Sequence, residues 1–206
     1  MRSFPSWKGQ TNFPGLWWSS TMGRHVGFES WLERDLAMLL DYRRDVVAFS
    51  SQPFWLHWMT EDGPRRHVPD FFARCADGST TVIDVRADDR VDERAAAAFA
   101  ATQVACGQVG WRFERVGALP AGFGRNLRWI SRYRHCRYLG LDGVADAVVD
   151  AFAEARPLFE GAGEVGDTLA VLPVVYHLLW QQRLMAELGA GALGPSTLVQ
   201  ALGVEP

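Results

Sequence analysis

A chain of 206 residues, 48% hydrophobic and 22% charged, is long enough for one packed domain and a small second one, and it reads as a soluble globular protein. Its longest apolar stretch, Leu169 to Trp180, is broken by Pro173 and His177. It falls well short of the roughly 20 residues that cross a bilayer, so no membrane span is expected. The net charge of −3 conceals an asymmetry: 19 basic and 15 acidic residues through Arg137, then 2 basic and 9 acidic ones.

The first residues, Met1 to Lys8, carry basic side chains without an apolar run behind them. That is no secretory signal, and a cytoplasmic protein is expected. Asn12 to Ser20 is rich in aromatics, and Thr21 to Arg24 reads as the turn of an entry hairpin. From Phe28 the pattern becomes helical, with Trp31, Leu32, Leu36, Leu39 and Leu40 recurring on one face, which predicts a helix over about 28–41.

Val46 to Phe49, Phe54 to Trp58 and Val68 to Arg74 read as strands, interrupted by Ser51-Gln52-Pro53 and by Glu61-Asp62-Gly63-Pro64. Ala76-Asp77-Gly78-Ser79 is a hairpin turn signal, and Thr80 to Arg86 is rich in β-branched residues, so a fourth strand pairs back on the third. Asp92 can cap an alanine-rich helix to about Gly107, and Trp111 to Val116 is a further strand. Trp31, Trp55 and Trp111 fall inside these apolar patterns and are expected in the core.

The chemistry-bearing residues lie on the two paired strands. Pro69-Asp70 lies in one, and Asp84-Val85-Arg86 lies in the other, with Asp84 and Arg86 on the same face by the period of two. Aspartates in strands are disfavoured by propensity, so a structural role would need Arg65, Arg66 or Arg86 to neutralise them. The other reading is a site for a hard divalent cation, magnesium or manganese. Two carboxylates from neighbouring strands and a third from a helix would give oxygen ligands, with positions left for water and phosphate. Such a cation polarises phosphate and lowers the pKa of an attacking water.

His67 reads as an exposed strand histidine, with contact to a phosphate as the alternative, and His25, His57, His135 and His177 show no ligand spacing. Cys75, Cys106 and Cys136 are far apart without a Cys-x-x-Cys spacing, so neither disulfides nor zinc are implied. Basic residues total 21, and Lys8 is the one lysine among them. From Arg112 to Arg137 there are seven arginines against one acid, Glu114. This is a composition suited to phosphate contact or, equally, to a solvated basic face or an arginine surface for the acidic tail. Arg125, Arg128, Arg132 and Arg134 are the expected DNA contacts, with Trp129 beside them.

Pro69-Asp70, a short spacer and Asp84-Val85-Arg86 resemble the PD-(D/E)XK nuclease signature. Its setting sharpens the match: Ser30-Trp-Leu-Glu33-Arg-Asp, Leu39-Leu-Asp-Tyr-Arg-Arg-Asp45, Ser51-Gln52-Pro53 and Val68-Pro-Asp70-Phe-Phe occur in the order found in TnsA-type endonuclease subunits of heteromeric transposases. The resemblance covers about residues 4–137. It implies an α/β fold, a restriction-endonuclease-like mixed sheet flanked by helices, with domains at 1–137 and 138–206.

By the same match Glu33 is the helix carboxylate, with Glu29 one turn earlier as the alternative, and Glu33, Asp70 and Asp84 are the metal ligands. Gln52 matches a glutamine-proline segment that turns toward the site in similar proteins, and reads equally as a turn residue before Pro53. Arg86 stands where the signature has a lysine. Arginine cannot act as a base, but it can hold a phosphate through two hydrogen bonds.

Beyond Arg137, apolar stretches at 144–152, 157–159, 168–188 and 196–202 read as four short helices. The acidic balance there argues against phosphate contact and for docking to protein. The resemblance implies double-stranded DNA at transposon ends as substrate, cut on the 5′ strand. It implies a strand-transfer transposase as partner, with a regulatory ATPase as a further one. The competing readings are a DNA-binding assembly subunit whose nuclease core has lost catalysis, kept open by Arg86, and a stand-alone nuclease of the same fold.

Overall fold

The computed structural model describes residues 13–203. Asn12, Lys8 and the segment Met1 to Lys8 lie outside the described residues. The chain forms two compact units, Met1–Ala118 and Leu119–Pro206.

The first unit opens on the expected hairpin, β1 (Gly15–Ser19) and β2 (Arg24–Phe28), paired antiparallel. Helix α1 (Trp31–Tyr42) starts later than the expected Phe28, at Ser30, whose hydroxyl caps it by accepting from the Glu33 N–H. Its buried Leu36, Ala37 and Leu40 face the core. Asp41 is also buried, because the hairpin is built around it. Trp17 Nε1 (3.0 Å), the Ser19 hydroxyl (2.6 Å), and the Ser20 and Thr21 amides (3.0 Å each) all donate to its carboxylate.

The central sheet is made of β3 (Val46–Ser51), β6 (Phe71–Cys75), β7 (Thr80–Val85) and β8 (Arg112–Val116), adjacent in that order. The first two junctions are antiparallel and the β7–β8 junction is parallel, so the sheet is mixed. The unit is thus α/β. Thr81 to Asp84 are buried without alternation, which requires cover on both faces of β7. α1 packs on β3 and β7, and α2 (Glu93–Gln108), capped by Asp92, packs on β8.

One segment departs from the sequence reading. Glu61 to Pro64 does not merely separate two strands but turns a hairpin of its own, β4 (Leu56–Thr60) against β5 (Gly63–His67). β5 ends at His67, and β6 begins only at Phe71, leaving Val68, Pro69 and Asp70 in the connection. Gly63, at φ 108°, takes the left-handed turn conformation glycine tolerates. Nor are Trp31, Trp55 and Trp111 core residues: they are 51%, 49% and 36% exposed. Their apolar neighbours follow the expected period, but these rings sit at its edges.

The second unit begins earlier than Arg137. Helix α3 (Ala121–Ile130) belongs to it, because the buried Asn126 ties the helix to the end of the chain. Its Nδ2 donates to the carbonyls of Leu188 (2.8 Å) and Gly191, and its Oδ1 accepts from the Leu193 amide (3.1 Å). α4 (Val144–Ala151), α5 (Leu158–Val165) and α6 (Thr168–Trp180) follow. From Val174 to Trp180 every residue of α6 is buried, so it is the central helix of this unit, apolar all round.

The four-helix expectation for 138–206 fails at its end. β9 (Arg156–Pro157), β10 (Leu184–Ala186) and β11 (Leu198–Ala201) form a small antiparallel sheet in the order β10, β11, β9. Gln182 breaks α6 with a left-handed φ of 53°, and Ser196 to Leu202 goes to strand rather than helix. Moving the boundary to Ala118 also changes the charge count. The units carry 14 basic against 15 acidic and 7 basic against 9 acidic residues. The asymmetry lies within the second unit, where Arg125 to Arg137 are set apart from the acids that follow. Among the described residues no helix is long and apolar enough to cross a membrane.

Candidate active site

Antiparallel pairing of β6 with β7 aligns Phe71 with Ile83. Continued by one residue, that register sets Asp70 opposite Asp84. Asp70 stands just before β6 and reaches across to β7: the Val85 amide donates to its Oδ2 at 2.7 Å. Asp84 is 1% exposed. A carboxyl group so placed needs a hydrogen-bond partner, and its partner is His67, whose Nε2 lies 2.9 Å from each Asp84 oxygen. The His67 ring is steadied by Phe99 of α2, edge-on at 6.4 Å.

Glu33 enters from the first turn of α1. Its carboxylate accepts from the Glu29 amide (2.8 Å) and the Ser30 hydroxyl (2.8 Å), closing a reciprocal cap. Burial pushes its carboxyl above the ordinary range; the two hydrogen bonds oppose this, and the Glu29 charge adds to it. Asp70 is pushed well above the ordinary carboxylate range by burial, then by the charge of Glu33. The Val85 amide pulls the other way, and the charges of Asp84 and Glu29 add further upward push. The expected acids therefore share one electrostatic neighbourhood, Glu29 included.

Their chemistry suits a hard divalent cation: an all-oxygen set with more negative charge than its surroundings neutralise. Among the described residues, however, no three His, Cys, Asp or Glu side chains converge closely enough to hold a metal ion as they stand. The reason is visible in their partners. Glu33 is turned back on its own cap, Asp84 faces His67, and one Asp70 oxygen is taken by Val85.

No protein-family model matches the chain, and no curated protein matches it.

Arg86 does not join the acids in the way its spacing suggests. It lies one residue past β7, is exposed, and donates from Nε to the Arg90 carbonyl at 2.9 Å. The period of two that would set it on the face of Asp84 stops where the strand stops. Gln52 is fixed instead: its amide donates to the Asp70 carbonyl at 2.9 Å, and its φ of 46° is left-handed for a non-glycine residue. Its Oε1 is buried with no partner among the described residues.

The residue that sequence reading missed is His67, half-buried against Asp84 rather than an exposed strand histidine. The signal was present. An aspartate in the interior strand Thr80 to Val85 needs a partner, and His67 supplies it to Asp84, while Arg65 pairs with Asp62 and Arg86 with the Arg90 carbonyl.

The expected DNA contacts lie in the second unit. Arg125, Arg128 and Arg132 are exposed and recur at helical spacing on and just after α3, opposite the buried Gly124, Leu127 and Ile130. The Arg132 guanidinium lies 5.3 Å over the Trp129 ring. Arg134 is less available, because its Nη1 donates to the Ser131 carbonyl at 2.7 Å.

Proposed function

We propose that the first unit is a restriction-endonuclease-like core, and that the chain is a metal-dependent DNA endonuclease subunit hydrolysing the phosphodiester on the 5′ strand at transposon ends, in concert with a strand-transfer transposase and a regulatory ATPase. The observation that carries this is the acid cluster. Asp70 opposite Asp84, with Glu33 near enough to raise the Asp70 carboxyl, is an arrangement whose strain a cation relieves.

Glu33, Asp70 and Asp84 would hold magnesium or manganese. Bound there, the cation supplies charge to polarise the phosphate and to acidify water. The chain's own residues do the rest. The Val85 amide orients Asp70, and the Gln52 amide fixes its backbone. His67 holds Asp84 in the interior. Arg125, Arg128 and Arg132 offer a cationic face for phosphates, with Arg134 in a lesser role. Arg86, turned to the Arg90 carbonyl, contributes to phosphate binding only after leaving that bond.

The placement of Arg86 also favours the second reading, an assembly subunit that binds DNA without cutting. Strand-specific cleavage of end-labelled transposon-end DNA, with the transposase present and magnesium or manganese added, separates the two. The nuclease reading predicts 5′-strand cleavage that Asp70→Ala abolishes while DNA binding persists. Equal behaviour of wild type and Asp70→Ala beside an active transposase selects the assembly subunit.

A further inference from the structure

The β4–β5 hairpin forms a sheet by itself, and its two faces differ. One face turns inward. Leu56 lines an apolar hollow with Phe54, Cys106 and Trp111, and its cross-strand partner His67 reaches Asp84. Alternation sends His57 and Met59 to the opposite face, paired across the ribbon with Arg66 and Pro64. Trp55, just ahead of β4, follows the same parity.

That outer face is not built for water. Met59 is 74% exposed and Trp55 is 49% exposed. The rings are arrayed rather than scattered: the His57 ring lies 6.4 Å from that of Trp55, and the Arg66 guanidinium lies 4.8 Å over the same indole. A tryptophan flanked by an imidazole and a guanidinium offers flat, polarisable faces beside a positive charge. Every nucleobase has a flat π face, so such a row binds unpaired bases with little regard to sequence.

We infer that the outer face of this ribbon, Trp55, His57, Met59 and Arg66, is a stacking platform for unpaired nucleotides of the strand that is cut. The inference deepens the nuclease reading and rests on it for the strand's destination, since the ribbon's inner face leads through His67 to Asp84. Charge sets the direction. Glu61 and Asp62 sit at the ribbon's tip, Asp62 beside Arg65 at 3.4 Å, so phosphates are repelled at the tip and admitted at the base. The same two acids speak against insertion of the ribbon, tip first, into a duplex groove lined by phosphates.

The test is fluorescence anisotropy of the full chain with a labelled 15-mer of thymidylate and with a labelled duplex, in chelator so that nothing is cut. Trp55→Ala is expected to weaken single-strand binding about 5- to 100-fold and duplex binding less than about 2-fold, with Trp55→Phe retaining most of the affinity. Leu169→Ala, an exposed apolar change in the other unit, should alter neither. If Trp55→Ala fails to fold, Arg66→Ala and Met59→Ala carry the measurement.

Unchanged single-strand affinity, equal losses on both probes, or no single-strand binding by the wild type would each overturn the platform; the face then becomes a groove contact or a protein-docking surface. Failure of this inference is separable from failure of the nuclease reading. Cleavage that needs Asp70 with binding indifferent to Trp55 sinks the platform alone. Binding that needs Trp55 without any cleavage sinks the nuclease alone.

Discussion

Asn126 in the second unit and Asp70 in the first are both polar side chains withdrawn from bulk water, Asn126 buried and Asp70 partly so, and their neighbours treat them in opposite ways. Asn126 meets two carbonyls with its amide nitrogen and an amide hydrogen with its oxygen, so its hydrogen bonding is complete and α3 is fixed to the end of the chain. Asp70 meets one amide and the charges of three acids. Asp41, also in the first unit, resembles Asn126 in this respect, with donors filling both of its oxygens. A satisfied buried group marks architecture, whereas a crowded, under-satisfied one marks a place where something is meant to bind.

The largest expected effect breaks this comparison on the side of the first unit. Asp70→Ala should lower cation-dependent 5′-strand cleavage by at least about 100-fold, the scale of losing several kcal/mol of charge stabilisation, while the unfolding transition stays in place or rises. A drop in cleavage that merely tracks a loss of folded protein would make Asp70 a structural residue like Asn126. The converse change, Asn126→Ala, should cost the second unit about 1–3 kcal/mol by leaving the chain-end carbonyls and amide without partners. Urea unfolding read on that unit measures it, and no loss would mean water replaces the amide.

The acid pair Glu33 and Asp70 in the first unit and His177 in the second should contribute to the pH dependence of stability with opposite sign. Glu33 and Asp70 have carboxyl pKa values raised in the folded state, so their contribution to stability is complete below the ordinary carboxylate range and is lost as pH rises through the folded values. His177 is the reverse case. Burial lowers its pKa, its Nδ1 bonds the Tyr133 carbonyl at 2.6 Å, and its buried Nε2 has no partner among the described residues. Its contribution is complete above its ordinary pKa of about 6.5 and is lost as pH falls toward the lowered folded value. Melting curves of wild type, Asp70→Asn and His177→Gln between pH 4 and 8, on the order of half-unit steps, should show each substitution flattening one slope. A single slope common to all three proteins would refute the assignment.

The smallest expected effects concern the arginines of α3 and its end. Arg125→Ala, Arg128→Ala and Arg132→Ala should each weaken DNA binding uniformly across sequences and reduce the slope of log affinity against log salt by about 0.9 for every phosphate no longer neutralised. Arg134→Ala should do less, since its guanidinium already serves the Ser131 carbonyl. An unchanged slope in all four would return this face to plain solvation.

Sequence period and cap chemistry made most of the first unit legible. Asp92 starts α2, Ala76 to Ser79 turns the β6–β7 hairpin, and Thr80 to Val85 forms its second strand, whereas α1 starts at its Ser30 cap and not at Phe28. Asp70 and Asp84 could be paired because antiparallel register is set by that turn. What could not be read depended on contacts distant in sequence. Asn126 draws α3 into the second unit through residues 188–193, and nothing local to Arg112–Arg137 announces it. His67 was concealed because its neighbours Arg65 and Arg66 gave the segment a solvent-facing look. Arg86 failed for a different reason: strand alternation was extended past the last residue of β7. In the second unit an all-round apolar helix and short apolar stretches such as Leu-Met-Ala and Leu-Val-Gln-Ala carry neither a period nor a β-branched composition that separates helix from strand, so β10 and β11 read as helical.

The most direct test of the central claim, that Glu33, Asp70 and Asp84 form a divalent-cation centre, is calorimetric titration of the full chain with manganese in two buffers of different ionisation enthalpy, beside Asp70→Asn. Cation binding to carboxyls held above their ordinary pKa must displace protons. The wild type should bind manganese with proton release that grows as pH falls toward the carboxylate range, and Asp70→Asn should lose both binding and release. Absence of binding by the wild type, or binding of equal strength in Asp70→Asn, would contradict the cation centre.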